Sequence, residues 1–413
     1  DRLYRLAKRE TTADRRGLAA VEKFSLGPKA AAELEEQVAG ADEAMAAAKA
    51  WLVRLQSGDS EAVGVWQRLY DVTMSACIEA CARLGATVTS EATAGESSYR
   101  DELPEIVEAL GAAGLTEEDD GALIVRNEGM EPTLVRKSDG GYLYATTDLA
   151  GVRRRVQQLG ADRAIYCVDA RQALHFKQVF ETARRAGFAT KDGKTADLQH
   201  APFGMVLGED GRPFKTRSGE NVKLADLIDE AIERAGAVVA EKNPGLSETD
   251  RDEVARAVAL AALKYADLSS ERIKDYVFSF DRMLAFEGNT GPYLLYAYVR
   301  IRSIFRRAAE QGLAGGSESA PIMLAEPKEK QLALALLRYP STVRSVGRSL
   351  EPHRLCGYLY ELAGAFSSFF ESCPVLKASD DATRLSRLRL CDLTSRVLAD
   401  GLDALGIPTV ERM

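Results

Sequence analysis

Two hydrophobic textures alternate along the chain. Up to about residue 90, apolar residues recur at helical spacing among Ala, Glu and Lys, with few strand formers, which predicts helices from Ala30 to Leu55 and from Glu61 to Leu84. In the second of these, Val65, Trp66, Leu69, Val72 and Thr73 tend to one face. From about Asp120 short β-prone runs appear, Ala122 to Arg126, Pro132 to Arg136 and Tyr142 to Thr147, separated by the turn-prone Asn127-Glu-Gly129 and Ser138-Asp-Gly-Gly141. Strand and helix then alternate: a helix from Asp148 to Leu159, a largely apolar strand from Arg163 to Val168, a helix from Gln172 to Ala186 and a short strand at Met205 to Leu207. That order predicts a doubly wound α/β sheet, whose ligands sit at the carboxyl ends of its strands.

From Lys223 onward the spacing is helical again. It predicts a bundle of about six helices, over 226–241, 250–268, 292–311, 329–350, 351–371 and 380–405, with the flexible connection Gly315 to Pro321 inside it. The expected fold class is therefore α/β plus all-α. Three parts are expected: 1–135, mainly helical with short strands; 136–235, the α/β part; and 236–413, the helical bundle.

Composition narrows the function classes. With 413 residues, 46% hydrophobic and 28% charged, the chain has globular composition and is too long for one ordinary core. No apolar run approaches the ~20 residues a membrane helix needs, and the opening Asp1-Arg2-Leu3-Tyr4-Arg5 is not a secretory signal. A cytoplasmic, membrane-free protein is expected. The net charge of −8 argues against coating DNA non-specifically, while leaving room for local basic strips. The six cysteines form no CxxC pair; Cys77 and Cys81, one helical turn apart, have no histidine nearby and read as small core residues. With only His175, His200 and His353 available, no metal site is expected.

Chemistry is concentrated after the strands. The stretch Phe214-Lys-Thr-Arg-Ser-Gly219 sets two cations two residues apart between glycines, with hydroxyls at Thr216 and Ser218. It is either a solvated basic turn or a polyphosphate cradle, in which Arg supplies a planar fork and Lys a compact charge. Asp148 is either the cap of the helix it opens or a carboxylate for a cationic substrate. With Tyr144 four residues before it and Gln172 after the next strand, it would line a cleft of phenol, carboxylate and amide suited to a guanidinium. His175, three residues after Gln172, is a helix histidine or a nucleotide contact.

Several segments in this order resemble arginyl-tRNA synthetase, a class I aminoacyl-tRNA synthetase: Tyr142 to Ala150, Phe203 to Gly208, Pro213 to Gly219, Ala262 to Leu268, Ala285 to Tyr293 and the ending Leu405 to Met413. Leu55-Gln-Ser-Gly-Asp59 and Gly95-Glu-Ser-Ser-Tyr99 fit the same family, so the resemblance runs from about residue 50 to the end; Asp403-Ala-Leu405 is followed by Gly406 where the family has Arg. The resemblance implies the second half of a Rossmann-like nucleotide-binding domain at 136–235, a connective helical insertion at 1–135 and an anticodon-binding bundle at 236–413. It implies activation of L-arginine with ATP, accompanied by Mg2+, and transfer to tRNA(Arg) by a monomer. Tyr144, Asp148 and Gln172 would hold the arginine side chain, and His175, Gly204 and Met205 would lie by the adenosine. Lys215, Thr216, Arg217 and Ser218 would replace the usual Lys-Met-Ser-Lys element, Lys215 and Arg217 neutralising the phosphates catalytically. Tyr293, Tyr296, Arg300 and Met413 would face the anticodon, by stacking and charge.

One departure stands out. Class I synthetases need a His-x-Gly-His element near the start of the nucleotide fold, whereas here no histidine precedes His175 and the nearest pair, His175 and His200, is 25 residues apart. A fragment of the synthetase is therefore expected, with two alternatives: a synthetase-like tRNA-binding module without catalysis, and another nucleotidylyl transferase of the same fold.

Overall fold

The computed structural model describes residues 7–8, 21, 23–24, 27–212, 223–313 and 315–413. They fall into two compact units, 1–81 and 82–413. The first holds α1 (Pro28–Gln56) and all but the last residues of α2 (Ser60–Arg83). Their turn is written in the sequence: Gly58 takes φ 80°, and the Asp59 carboxylate accepts the Ala62 amide at 3.0 Å and the Arg54 guanidinium at 2.8 Å. Cys77 is exposed and Cys81 half-buried, so the reading of both as core residues does not hold.

The second unit begins with α3 (Leu103–Ala112) and an antiparallel sheet of β1 (Thr116–Asp119), β2 (Ala122–Val125) and β3 (Thr133–Arg136). Next come α4 (Tyr144–Arg153), β4 (Arg163–Tyr166), α5 (Ala173–Arg185) and a small hairpin of β5 (Thr190–Lys191) and β6 (Lys194–Thr195). β7 (Asp197–His200) lies parallel to β4, with Arg163 opposite Asp197 and Tyr166 opposite His200. β8 (Val206–Leu207) runs parallel to β9 (Tyr276–Val277). A core of Ile106, Leu110, Val125, Val135, Leu149, Val152, Val179 and Leu198 joins α3, the antiparallel sheet, α4 and α5 over β4 and β7.

The remaining helices are α6 (Leu224–Lys242), α7 (Glu248–Leu268), the single turn α8 (Phe280–Met283), α9 (Gly291–Glu310), α10 (Pro327–Leu337), α11 (Tyr339–Ser349), α12 (His353–Ser372) and α13 (Asp381–Ala404). They share one core, in which Tyr265, Leu294, Leu295, Ile301, Leu332, Leu359, Phe366 and Phe369 are almost wholly enclosed. Each such side chain contributes about 1.5–3 kcal/mol on burial.

Two sequence expectations change here. The run Tyr142 to Thr147 is not a strand: only Tyr142 makes a bridge, to Arg136, and the helix starts at Tyr144. Ala145, Thr146, Leu149 and Val152 are buried at helical spacing, and this demand outweighs the β preference of Tyr and Thr. The helix expected over 329–350 is two, α10 and α11, because Pro340 lacks the amide that would continue the ladder.

Candidate functional site

β4 and β7 continue past their carboxyl ends, and this extension organises the site. Ala201 N donates to Tyr166 O at 2.8 Å, Phe203 N to Val168 O at 3.3 Å and Ala170 N to Phe203 O at 3.1 Å. Asp169 then turns the chain into α5. Its carboxylate accepts the Arg171 amide at 2.8 Å and two guanidinium bonds from Arg171 at 2.9 and 2.8 Å. Those bonds hold the Asp169 carboxyl down to about 2. Gln172 sits exposed at the helix start, and His175 faces inward one turn later.

Asp148 is the fifth residue of α4, one turn beyond Tyr144, and Leu143 occupies the cap position. It does not open the helix, so capping cannot account for it. Its Oδ2 lies 2.6 Å from Nε2 of His175, with the two side chains 32% and 26% exposed. Two residues assigned to different substrates in the sequence thus touch each other. The imidazole stands edge-on to Phe176, whose ring packs at 5.1 Å on both Tyr166 and His200. Tyr144 is 70% exposed. Tyr144, Asp148, Gln172 and His175 therefore occupy the first turns of two adjoining helices.

Gly204 and Met205 lead into β8, and the segment from Pro202 to Leu207 is held by residues 272–278. Arg272 Nη1 donates to Pro202 O at 2.5 Å, Gly204 N to Arg272 O at 2.9 Å, and Met205 N to the Asp275 carboxylate at 2.7 Å. Tyr276 N then donates to Met205 O at 3.1 Å and Phe278 N to Leu207 O at 2.9 Å. A Cβ on Gly204 would lie 2.7 Å from the Lys274 carbonyl carbon, so the glycine is required by this backbone contact. Met205 is half-exposed beside it. Lys215, Thr216, Arg217 and Ser218 lie outside the described residues.

In the helical part, Asn289-Thr-Gly-Pro-Tyr293 forms a joint. Asn289 Oδ1 accepts the Tyr265 hydroxyl at 2.6 Å, Thr290 caps α9 by accepting the Tyr293 amide at 3.3 Å, and Gly291 crosses Ala261 so closely that a Cβ would lie 2.2 Å from its carbonyl oxygen. Tyr293 packs on Tyr360 at 5.5 Å, and the Arg300 guanidinium lies over Tyr296 at 4.7 Å and Phe370 at 5.8 Å. Tyr296, Tyr360 and Phe370 keep over a third of their surface exposed. Arg302 is bound to the Glu411 carboxylate at 2.9 Å and Arg306 to the Glu411 carbonyl at 2.7 Å. These bonds tie the chain end, with half-buried Met413, along α9.

Sequence reasoning passed over Arg272, Asp275, His200 and Phe370. Each acts across more than 20 residues of chain, which no local spacing reveals. Among the described residues no group of three or more His, Cys, Asp or Glu is placed to hold a metal ion. Among them, too, no helix is long and apolar enough to cross a membrane.

Known proteins resemble this arrangement. Residues 5–280 match the family described as tRNA synthetases class I (R), catalytic domain, and residues 294–413 match the DALR anticodon binding domain. An arginine–tRNA ligase of Pseudomonas syringae pv. syringae is 50% identical over 373 residues, 89% of this chain and 63% of that protein. One of Shewanella amazonensis is 50% identical over 379 residues, 90% of this chain and 64% of that protein. This chain thus spans just under two thirds of the length of these curated relatives. The arginyl-tRNA synthetase structure from Plasmodium falciparum superposes with a TM-score of 0.77 at 29% identity, covering 91% of this chain and 63% of that one. For Thermus thermophilus arginyl-tRNA synthetase the TM-score is 0.75 at 25% identity, covering 98% and 74%.

Proposed function

Since this chain belongs to the class I tRNA synthetases of the (R) family, with a class I catalytic domain followed by a DALR helical domain, we propose that it is the part of an arginine–tRNA ligase that holds the arginine side chain, the pyrophosphate-side loop and the anticodon. Its functional parts would be a connective region at 1–135, the second half of the nucleotide fold at 136–235 and the anticodon-binding helices at 236–413. The arginine carboxylate attacks the α-phosphorus of ATP, giving arginyl-adenylate and pyrophosphate; a terminal ribose hydroxyl of tRNA(Arg) then displaces AMP. Neither step needs a protein nucleophile, only positioning and charge neutralisation.

The observation that carries the reading is Asp148, a half-buried carboxylate spared from capping, with Tyr144 one turn away and the start of α5 beside it. In the proposal, Asp148, Tyr144 and Gln172 accept the guanidinium donors. Gly204 and Met205 run along the adenosine. Lys215 and Arg217, helped by Thr216 and Ser218, neutralise the triphosphate, which arrives with Mg2+. Tyr293, Tyr296, Arg300 and Met413 meet the anticodon.

The test is arginine-dependent ATP–pyrophosphate exchange, with and without tRNA, on the complete gene product. Asp148→Asn removes a charge-assisted acceptor and should raise the arginine KM by at least about tenfold, with the ATP KM little changed. An unchanged arginine KM would remove Asp148 from the site. Absence of exchange in the wild type would leave a tRNA-binding module instead.

A further inference from the structure

Asp148 does not stand alone in its cleft. Among the described residues its Oδ1 accepts no hydrogen bond, while its Oδ2 is held 2.6 Å from His175 Nε2. The imidazole is fixed in turn. Its edge rests on Phe176, which is buried and packed against Tyr166, Phe180 and His200. α4 supplies the carboxylate and α5 the imidazole, so this bond sets the angle of one carboxylate from a different helix.

We infer that His175 is a positioning residue for the amino-acid side chain. It donates Nε2–H to Asp148 Oδ2, locks the carboxylate in one rotamer and presents Oδ1 to a guanidinium held between Tyr144 and Gln172. The inference rests on the reading of Asp148 as the guanidinium acceptor and goes beyond it. A pendant carboxylate would lose rotamer freedom on binding substrate; one already held loses less. A neutral imidazole leaves the full negative charge on Asp148, whereas an imidazolium forms an ion pair and competes with the guanidinium for it.

The groups around the ring do not duplicate that role. Tyr166 on β4 receives Arg155 Nη1 on its hydroxyl at 3.3 Å, so that guanidinium is directed at the phenol. Tyr99 has the Arg154 guanidinium over its ring at 4.1 Å. His200 on β7 lies behind Phe176, with Nε2 on Val168 O at 3.0 Å.

Five forms of the full gene product test the inference: wild type, His175→Ala, His175→Gln, Asp148→Asn and the double variant of His175→Ala with Asp148→Asn, each assayed by pyrophosphate exchange across pH 6 to 8.5, roughly the range over which histidine changes charge, and by thermal unfolding. His175→Ala should raise the arginine KM about tenfold, the size of one hydrogen bond to a charged group, and leave the ATP KM unchanged. His175→Gln, which keeps a donor but cannot titrate, should restore most of the arginine KM. It should also abolish any rise of that KM on acidification that the wild type shows. His175→Ala made in the Asp148→Asn background should add nothing further. A raised ATP KM with unchanged arginine KM would make His175 a nucleotide contact and overturn the inference. So would a parallel loss of both constants and of melting temperature in the Ala and Gln variants, which would mark a structural residue. If Asp148→Asn itself leaves the arginine KM unchanged, the underlying site assignment fails. If it raises that KM while His175→Ala does not, only the role of His175 fails.

Discussion

At residue scale, the most constrained charge is Glu329, third residue of α10, whose side chain is 2% exposed. Its Oε1 takes Arg387 Nε at 2.7 Å, and its Oε2 takes the amides of Ala325 and Glu326 at 2.8 and 2.9 Å. Burial opposes ionisation, but the Glu326 amide and Arg387 outweigh it and hold the carboxyl below the ordinary range. A depressed folded-state pKa contributes stability that is complete above the unfolded value and is lost as pH falls through the folded one. Glu329→Gln strands Arg387 and should cost about 3–5 kcal/mol at neutral pH. Measured by urea unfolding, that deficit should shrink on acidification from about pH 7 to pH 3. A deficit constant across that range would show that the charge on Glu329 contributes nothing. The sequence hints at the capping half of this arrangement, since Glu326-Pro-Lys-Glu329 is a helix start. The arginine, 58 residues away, is visible only in the fold.

The elements were legible wherever one periodicity ruled. β2 and β3 lie within a residue of their apolar runs, and α7, α9, α12 and α13 within about two of their expected ends. β1 escaped notice because Thr-Glu-Glu-Asp has no apolar side to show; as an edge strand it is held by pairing and by Glu117 on Arg126 at 2.8 Å. α11 is the unusual element, with no buried residue. Its carboxyl end is held by two arginines of other elements. Arg163 on β4 donates to Gly347 O at 2.7 Å, and Arg272 donates to Leu350 O at 3.0 Å while also holding Pro202 O. Cations on orphan carbonyls suit a helix C-terminus. Because Arg272 joins this end to the segment of Gly204 and Met205, Arg272→Met should cost about 1–3 kcal/mol of stability and slow adenylate formation beyond that. Unfolding and pre-steady-state exchange measure the two separately. Unchanged chemistry with lowered stability would reduce Arg272 to a cap alone.

Across the molecule, the α/β core and the helical core each carry half of the proposed activity, and the segment 272–278 between α7 and α8 ties them together. Here sequence pattern alone could not rank its own candidates. The run Arg300, Arg302, Arg306, Arg307 reads as one basic edge, yet Arg302 and Arg306 are committed to Glu411 and the chain end. Arg300 instead spreads over Tyr296 and Phe370, and its guanidinium donates to the Tyr296 hydroxyl at 3.1 Å. A guanidinium lying among half-exposed aromatic rings suits an unstacked base and its phosphate. Tyr296→Ala should therefore weaken tRNA binding by about 1–3 kcal/mol, one stacked base. Arg300→Ala should weaken it and also reduce the slope of log affinity against log salt by about 0.7–1, one phosphate contact. Arg302→Ala should instead act by loosening Glu411, lowering stability with little change of salt slope. Binding titrations with tRNA(Arg) at several salt concentrations separate these cases. If Arg302→Ala moves the slope and Arg300→Ala does not, the RNA-facing surface lies on the other side of α9.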